Sequence, residues 1–301
     1  MEKIAILTDT ASDIDIELAE SLGIYLLSLY VNLDSKYFKD RKEISPEKFY
    51  DWVIENNKLP KTSAASPLDL TEILEQIKDD GYEKVIIVSL GSKFSSTYNL
   101  FNMIKIDGLQ SFVFDTSNLT LSEGVFAIYA KELVDEGYSF EQIIDKLEEK
   151  KRDSKVFFTL KNFRYIVEGG RVPRTFGKIG NALSVKPIIS INSEECSFKL
   201  LKITRGEKKL LNEFKKIALN ELENVKDYYF YIGHGGYEES LEKLEETFKD
   251  IIANARKYYP IQISPTLGAN TGPGLFGFGL FKLDWLKFKK YLTNIYLASI
   301  I

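Results

Sequence analysis

Short unbroken apolar runs alternate with amphipathic stretches through the first half of the chain. The run KIAILT at residues 3–8 has no polar residue at every second position, which predicts a strand buried on both faces. IDIELAESLG follows with helical spacing, and Gly23 suits the position just past a helix end. IYLLSLYVNL (24–33) predicts the next strand. SPEKFYDWVIENN opens with Ser45 as an N-cap and Pro46 at the first helical position. SPLDLTEILEQIKDDG repeats that signal with Ser66 and Pro67, adds Asp69 in the capping-box place, and stops at Gly81. Further strands are predicted over 84–90 and 111–116. TLSEGVFAIYAKELVDEG reads as a helix with Thr120 and Glu123 as a capping box and Gly137 at its end, and SFEQIIDKLEEKKRDS as another.

This alternation favours a mostly parallel sheet with helices on its faces. Ligands of such sheets sit beyond the carboxyl ends of the strands, which directs attention to the loops after residues 8, 59 and 90. The second half reads differently. A strand is predicted at 155–160, a hairpin from KPIISIN and SFKLLKIT around a turn at 193–196, and two helices near 206–223 and 238–256 flanking YYFYIG. The expected fold class is therefore α/β in two domains: a mostly parallel α/β domain over 1–153 and an α+β domain with antiparallel pairing over 154–301.

Composition narrows the functions. Charged residues make up 28% of the chain but the net charge is only −4, and Lys and Glu are interspersed, which argues against nucleic acid as a partner. The single cysteine, Cys196, allows no internal disulfide framework and suits a reducing compartment. With one Cys and one His, no zinc-site spacing exists, and no metal or cofactor is expected. MEKIAILTDT is not a signal peptide and no apolar run approaches bilayer length, so a soluble cytoplasmic protein is expected.

GANTGPGLFG (268–277) holds Gly272, Gly274 and Gly277 in the G-x-G-x-x-G spacing of a dinucleotide turn. Pro273 lies inside the motif, a strand-like LFGFGLFKL follows, and too little chain remains for a βαβ unit, so the motif is not read as a nucleotide site. GGRVPRTFGK has the wrong spacing for a phosphate-binding Walker loop. Asp9 reads as a strand-end residue, with Ser12 and Asp13 capping the next helix, and His234 as a structural turn residue. Hydroxyls stand out more. Thr62 and Ser63, then Ser92, Ser95, Ser96 and Thr97, then Asn270 and Thr271 place neutral donors in three loops beside predicted helix starts. Such groups can hold an anion without a paired cation, or can be ordinary caps, and composition alone does not choose.

Taken in order, TDTASDI, TSAASP, SKFSSTY, FRYIVEGGRV, KPIISI and NTGPGLFGFGL resemble the DegV family of fatty-acid-binding proteins, the acyl carriers of bacterial fatty acid kinases, over nearly the whole chain. The resemblance implies a non-catalytic carrier with a long-chain fatty acid in a tunnel between two domains and a separate kinase subunit supplying ATP chemistry. It implies Thr62 and Ser95 as side-chain ligands of the carboxylate, the Ser96 N–H completing the cradle, and Ser63, Asn270 and Thr271 beside them. Asn270 stands where the family usually has His, and Ser96 where it usually has Gly. Arg171, with Arg174 and Lys178 near it, and more weakly Arg205, would face the kinase, and transient contact with a membrane surface is a further expectation. A lipid-sensing protein without carrier activity, and an acyl hydrolase working through Ser95, are the alternatives.

Overall fold

The computed structural model describes residues 2–172 and 185–283. The first strand, β1 (Ile4–Asp9), is buried at every position and runs into a 3-10 turn over Thr10–Ser12. Asp9 accepts from the Ala11 N–H at 2.8 Å and so caps that turn. The helix after it, α1 (Ile16–Leu22), is capped by Asp15, which accepts from the Leu18 N–H at 2.7 Å, rather than by Ser12 or Asp13. Gly23 closes it at φ 66°. The apolar run 24–33 is two strands, not one: β2 (Tyr25–Leu27) joins β1, while β3 (Tyr30–Leu33) leaves for another sheet. At the break the buried Leu29 N–H donates to the Thr10 hydroxyl at 3.1 Å, which satisfies the amide that neither sheet takes up.

β4 (Lys36–Lys39), α2 (Pro46–Asn56), β5 (Lys61–Ser63), α3 (Pro67–Asp79), β6 (Lys84–Ser89), α4 (Thr97–Met103), β7 (Gln110–Asp115), α5 (Leu121–Asp135) and α6 (Phe140–Lys150) follow. Ser45 caps α2, and Ser66 with Asp69 forms a complete capping box on α3. The capping box expected at Thr120 and Glu123 does not form. The Thr120 hydroxyl donates instead to Asp13 at 2.5 Å, and Glu123 is fully buried and accepts from Thr8 at 3.5 Å. Strands in the order β2-β1-β6-β7 make an all-parallel sheet, as the alternation predicted, and β4-β3-β5 make a small antiparallel one. Side chains of β1 and β6 point alternately to α3 and α4 on one face and to α5 and α6 on the other.

β8 (Ser154–Thr159) opens the second large sheet, after which come α7 (Arg164–Glu168), β9 (Val185–Asn192), β10 (Ser197–Arg205), α8 (Glu207–Glu221), β11 (Tyr228–Gly235), α9 (Glu239–Ala253), β12 (Lys257–Gln262), α10 (Pro265–Thr271) and β13 (Leu275–Lys282). The order is β10-β9-β8-β13-β11-β12. The β9–β10 hairpin is the one the sequence predicts, and the pairing is antiparallel except between β11 and β12, which run parallel. On one face Phe157, Phe230, Phe276 and Phe278 pack under α8 and α9. The opposite face turns toward the first sheet. There α5, apolar nearly all round, lies against β1 and β6 on one side and β8 and β13 on the other.

Candidate functional site

A cavity of about 1150 Å³, its open mouth included, lies on the face of the six-stranded sheet opposite α8 and α9. Its walls draw on Phe198 of β10, Phe158 of β8, Leu275 of β13 and Ile261 of β12, so it crosses the sheet from one edge strand to the other. Five interstrand spacings of about 4.8 Å make that distance about 24 Å. The first half of the chain supplies the opposite wall, through Leu29, Leu90, Phe94 and Leu119.

The polar lining comes from three segments: a short strand, the loop before a helix and the end of another helix. Thr62 and Ser63 belong to β5, where Thr62 pairs with Val31 of β3. Ser95 and Ser96 precede α4. The Ser95 hydroxyl lies 2.9 Å from that of Thr97 and accepts from the Thr97 N–H at 3.2 Å, while Ser96 occupies the N-cap position with no side-chain cap bond. Asn270 and Thr271 end α10, and each bonds back one turn, Asn270 Nδ2 to the Thr266 carbonyl at 3.1 Å and the Thr271 hydroxyl to the Leu267 carbonyl at 3.0 Å. All six line this one cavity. Thr62 and Ser63 make no side-chain hydrogen bond among the described residues, so their hydroxyls are open to a ligand.

Arg171 lines the cavity too. Its Nε donates to the Phe94 carbonyl at 3.3 Å, and Nη1 donates to the Gly169 carbonyl and, at 3.5 Å, to Asn270 Oδ1. Arg205 is exposed at the end of β10 and does not line the cavity. Arg174 and Lys178 lie outside the described residues.

Behind α10 sits a buried cluster of acids. Asp13 Oδ1 accepts from the Ser264 N–H at 2.7 Å and lies 3.5 Å from Arg41 Nη2, which also donates to the Gln262 carbonyl at 2.9 Å. Asp40 accepts from the Thr266 N–H at 3.0 Å. These carboxylates take the first amides of α10, which have no water to turn to. Burial, more than any neighbour, pushes the Asp9 carboxyl up to about 7 and that of Asp40 up to about 6, and raises those of Asp13 and Glu123.

The glycines of 268–277 have a structural use. Gly272 at φ 72° and Gly274 at φ 88° turn the chain sharply from α10 into β13. A side chain at Gly272 would come within 2.3 Å of Tyr165. His234 is not the turn residue expected but lies inside β11, paired with Gln262 and Phe276; it is buried, its Nδ1 accepts from the Tyr237 N–H at 3.1 Å, and burial lowers its pKa. Among the described residues no group of three or more His, Cys, Asp or Glu side chains is arranged so that it could hold a metal ion, and no helix is long and apolar enough to cross a membrane. Sequence reading missed α10 itself, although Ser264 and Pro265 repeat the Ser-Pro start of α2 and α3. It also missed the place of Arg171 in the wall, for which no local pattern exists.

A family model described as an uncharacterised protein of the DegV family matches residues 3–283. A DegV domain-containing protein of Clostridium acetobutylicum is 32% identical over 284 residues, covering 94% of this chain and all of that one. Among solved structures, a DegV family protein from Thermus thermophilus described by its fatty acid binding superposes with a TM-score of 0.85 at 27% identity, covering 93% of this chain and 100% of that one. DegV of Bacillus subtilis, a fatty acid binding protein, gives 0.84 at 25% identity, with 94% and 100% covered. A stearic acid-binding protein from Eubacterium ventriosum gives 0.83 at 25%, with 94% and 98% covered. With the family match spanning all three sheets and every segment of the cavity, the chain belongs to the DegV family.

Proposed function

We propose that the chain binds one long-chain fatty acid in the cavity and presents its carboxylate to a separate ATP-dependent kinase, which converts it to an acyl phosphate. The observation that carries this reading is the lining: apolar walls across a whole sheet face, with hydroxyls and an amide brought to them from three separate segments. A span of about 24 Å exceeds the roughly 15 Å that acyl chains fill in one leaflet, half of a hydrocarbon core of about 30 Å. Fatty acid binding by the relatives from T. thermophilus, B. subtilis and E. ventriosum supports the same ligand.

At about 0.8 kcal/mol per CH2, a long chain brings roughly 10 kcal/mol of gross burial energy, from which association takes about 4 kcal/mol or more. The head group therefore needs orientation more than affinity. Thr62 and Ser95 hydroxyls and the Ser96 N–H would hold the carboxylate, with Ser63, Asn270 and Thr271 beside them. In the kinase step a carboxylate oxygen attacks the terminal phosphorus of ATP and ADP leaves. The carrier's share is to hold that oxygen exposed, and Arg205 is a candidate contact for the kinase.

Native mass spectrometry of the purified protein, with gas chromatography of its organic extract, tests the reading. One long-chain fatty acid per chain is expected. A protein that is empty and takes up no added fatty acid would refute it.

A further inference from the structure

On the cavity side of the six-stranded sheet, β13 presents Leu275, Gly277 and Gly279 in alternation, with Phe281 after them. The row starts at the polar end, since only the turn over Gly272–Gly274 separates Leu275 from Asn270 and Thr271. Gly277 lies directly opposite Gly233 of β11, with Phe158 of β8 beyond one and Ile261 of β12 beyond the other. Two bare neighbours between large flanking side chains make a groove, and all four residues line the cavity. One pleat step further along β13 the row reads Val156, Gly279, Tyr231 and Tyr259. Gly279 is bare as well, but there the groove is filled. The Tyr231 ring lies on the Gly279 backbone, where a Cβ would stand 2.2 Å from Tyr231 Cζ. It crosses β13 and reaches β8, where its hydroxyl donates to the Lys155 carbonyl at 3.3 Å and shares a hydrogen bond with the Ser122 hydroxyl of α5. The ring is thus held at both ends, by its own strand and by these bonds. Beyond it Phe281 packs against Phe126, Tyr129 and Tyr229 and closes the face.

We propose that Tyr231 sets the longest acyl chain the cavity accepts. Its ring is a bar across the glycine groove, and a chain that enters from the polar segments and crosses the Gly277–Gly233 pair stops where it meets that bar. The inference rests on the acyl-ligand reading above and names what bounds the chain at that same site. One step of two residues is about 6.8 Å of strand. A methylene advances a chain by about 1.25 Å, from a C–C bond of about 1.52 Å and an angle near 111°, so the ring occupies the room of roughly five methylenes. A smaller side chain at 231 frees that room as far as Phe281, while Asn270 and Thr271 lie at the opposite end of the groove.

The test is a series of saturated fatty acids from dodecanoate to docosanoate, measured by calorimetry on lipid-stripped wild type, Tyr231→Leu and Tyr231→Phe. In wild type, affinity should rise by about fourfold per added methylene and then fall once the chain outgrows the groove. Tyr231→Leu should carry that turning point to acids longer by about two to five methylenes and leave the slope below it unchanged. Tyr231→Phe keeps the ring and should keep the turning point. Tyr231→Met, which loses less volume, takes the place of the Leu variant if that one does not fold, with the same shift expected. If the smaller side chain weakens every acid by one factor and leaves the turning point in place, Tyr231 is packing alone and the proposal fails. It fails equally if the turning point of Tyr231→Phe moves as far as that of Tyr231→Leu, since the bonds of the hydroxyl and not the ring would then close the groove. A wild type that binds none of these acids removes the acyl-ligand reading itself, and this inference with it.

Discussion

Asp9, Asp13, Asp40 and Glu123 are buried together, and the guanidinium of Arg41 is the positive charge that faces Asp13 and Asp40. That arrangement makes the stability of the fold depend on pH in an unusual direction. In the unfolded chain an aspartate releases its proton near pH 4. Folding lifts Asp9 to about 7 and Asp40 to about 6. Between those limits the native state holds protons that the unfolded chain has already released, so stability falls as pH rises through that range. From pH 5 to 7, Asp9 alone corresponds to about 3 kcal/mol, and Asp40 adds about 1 kcal/mol between pH 5 and 6 at 1.36 kcal/mol per pH unit. The two repel each other, so these contributions overlap and about 3 kcal/mol in all is expected. His234 works in the opposite sense, because the unfolded chain takes up a proton there below about pH 6.5 while burial keeps the native ring neutral. The window from pH 6.5 to 7.5 is therefore the cleanest. Urea unfolding across it should show wild type losing stability while Asp9→Asn, a stand-in for the protonated acid, loses less and is about 4 kcal/mol more stable at pH 7.5. A wild-type profile that climbs through this window, or a variant profile parallel to it, would refute the assignment of buried protonated carboxyls.

Asp13→Ala strips the acceptor from Arg41, the Thr120 hydroxyl and the Ser264 N–H at once, and should cost about 3–5 kcal/mol in urea unfolding. Thr62→Val keeps the shape of β5 but removes a hydroxyl that faces the cavity, and calorimetry should show fatty acid affinity lower by about 1.5–3 kcal/mol with stability nearly unchanged. Gly233→Val would place a Cβ 2.9 Å from Ile261 Cγ1 and drive that side chain into the cavity, so the extracted acids should become shorter; an unchanged chain-length profile would show that Ile261 yields in another direction.

The parallel sheet was legible because burial on both faces writes itself as unbroken apolar runs, as in β1 and β6. Helix starts were legible where a single cap residue decides them, as at Ser45 and Ser66. The errors share a cause. Thr120, Asp13 and the break at Ser28–Leu29 look local in sequence but are settled by partners far along the chain: Thr120 with Asp13 across 107 residues, Asp13 with Ser264 across 251. A short-range pattern carries no trace of such a bond, so a capping box was read where the hydroxyl is engaged elsewhere. The hydroxyls of the site were visible as a clustering of residue types. Arg171 was visible only as a charge beside glycines, because its meaning depends on Phe94 and Asn270, which the sequence does not place next to it.

The costly cluster and the cavity meet in α10. This helix has seven residues, too few to be stable alone, and its opening amides are buried. Asp13 and Asp40 accept two of them and thereby anchor to the first half of the chain a helix whose two neighbours, β12 and β13, belong to the second. Its far end presents Asn270 and Thr271 to the cavity, and Asn270 reaches Arg171. A surface cap could have satisfied the same amides at less expense, since an exposed carboxylate loses no hydration. It could not have tied the two halves together at the wall of the cavity. The desolvation of Asp13 and Asp40 is therefore the energetic counterpart of a fixed polar wall: the same buried carboxylates whose desolvation lowers stability near neutral pH hold the polar end of α10 in register with the Thr62 and Ser95 segments.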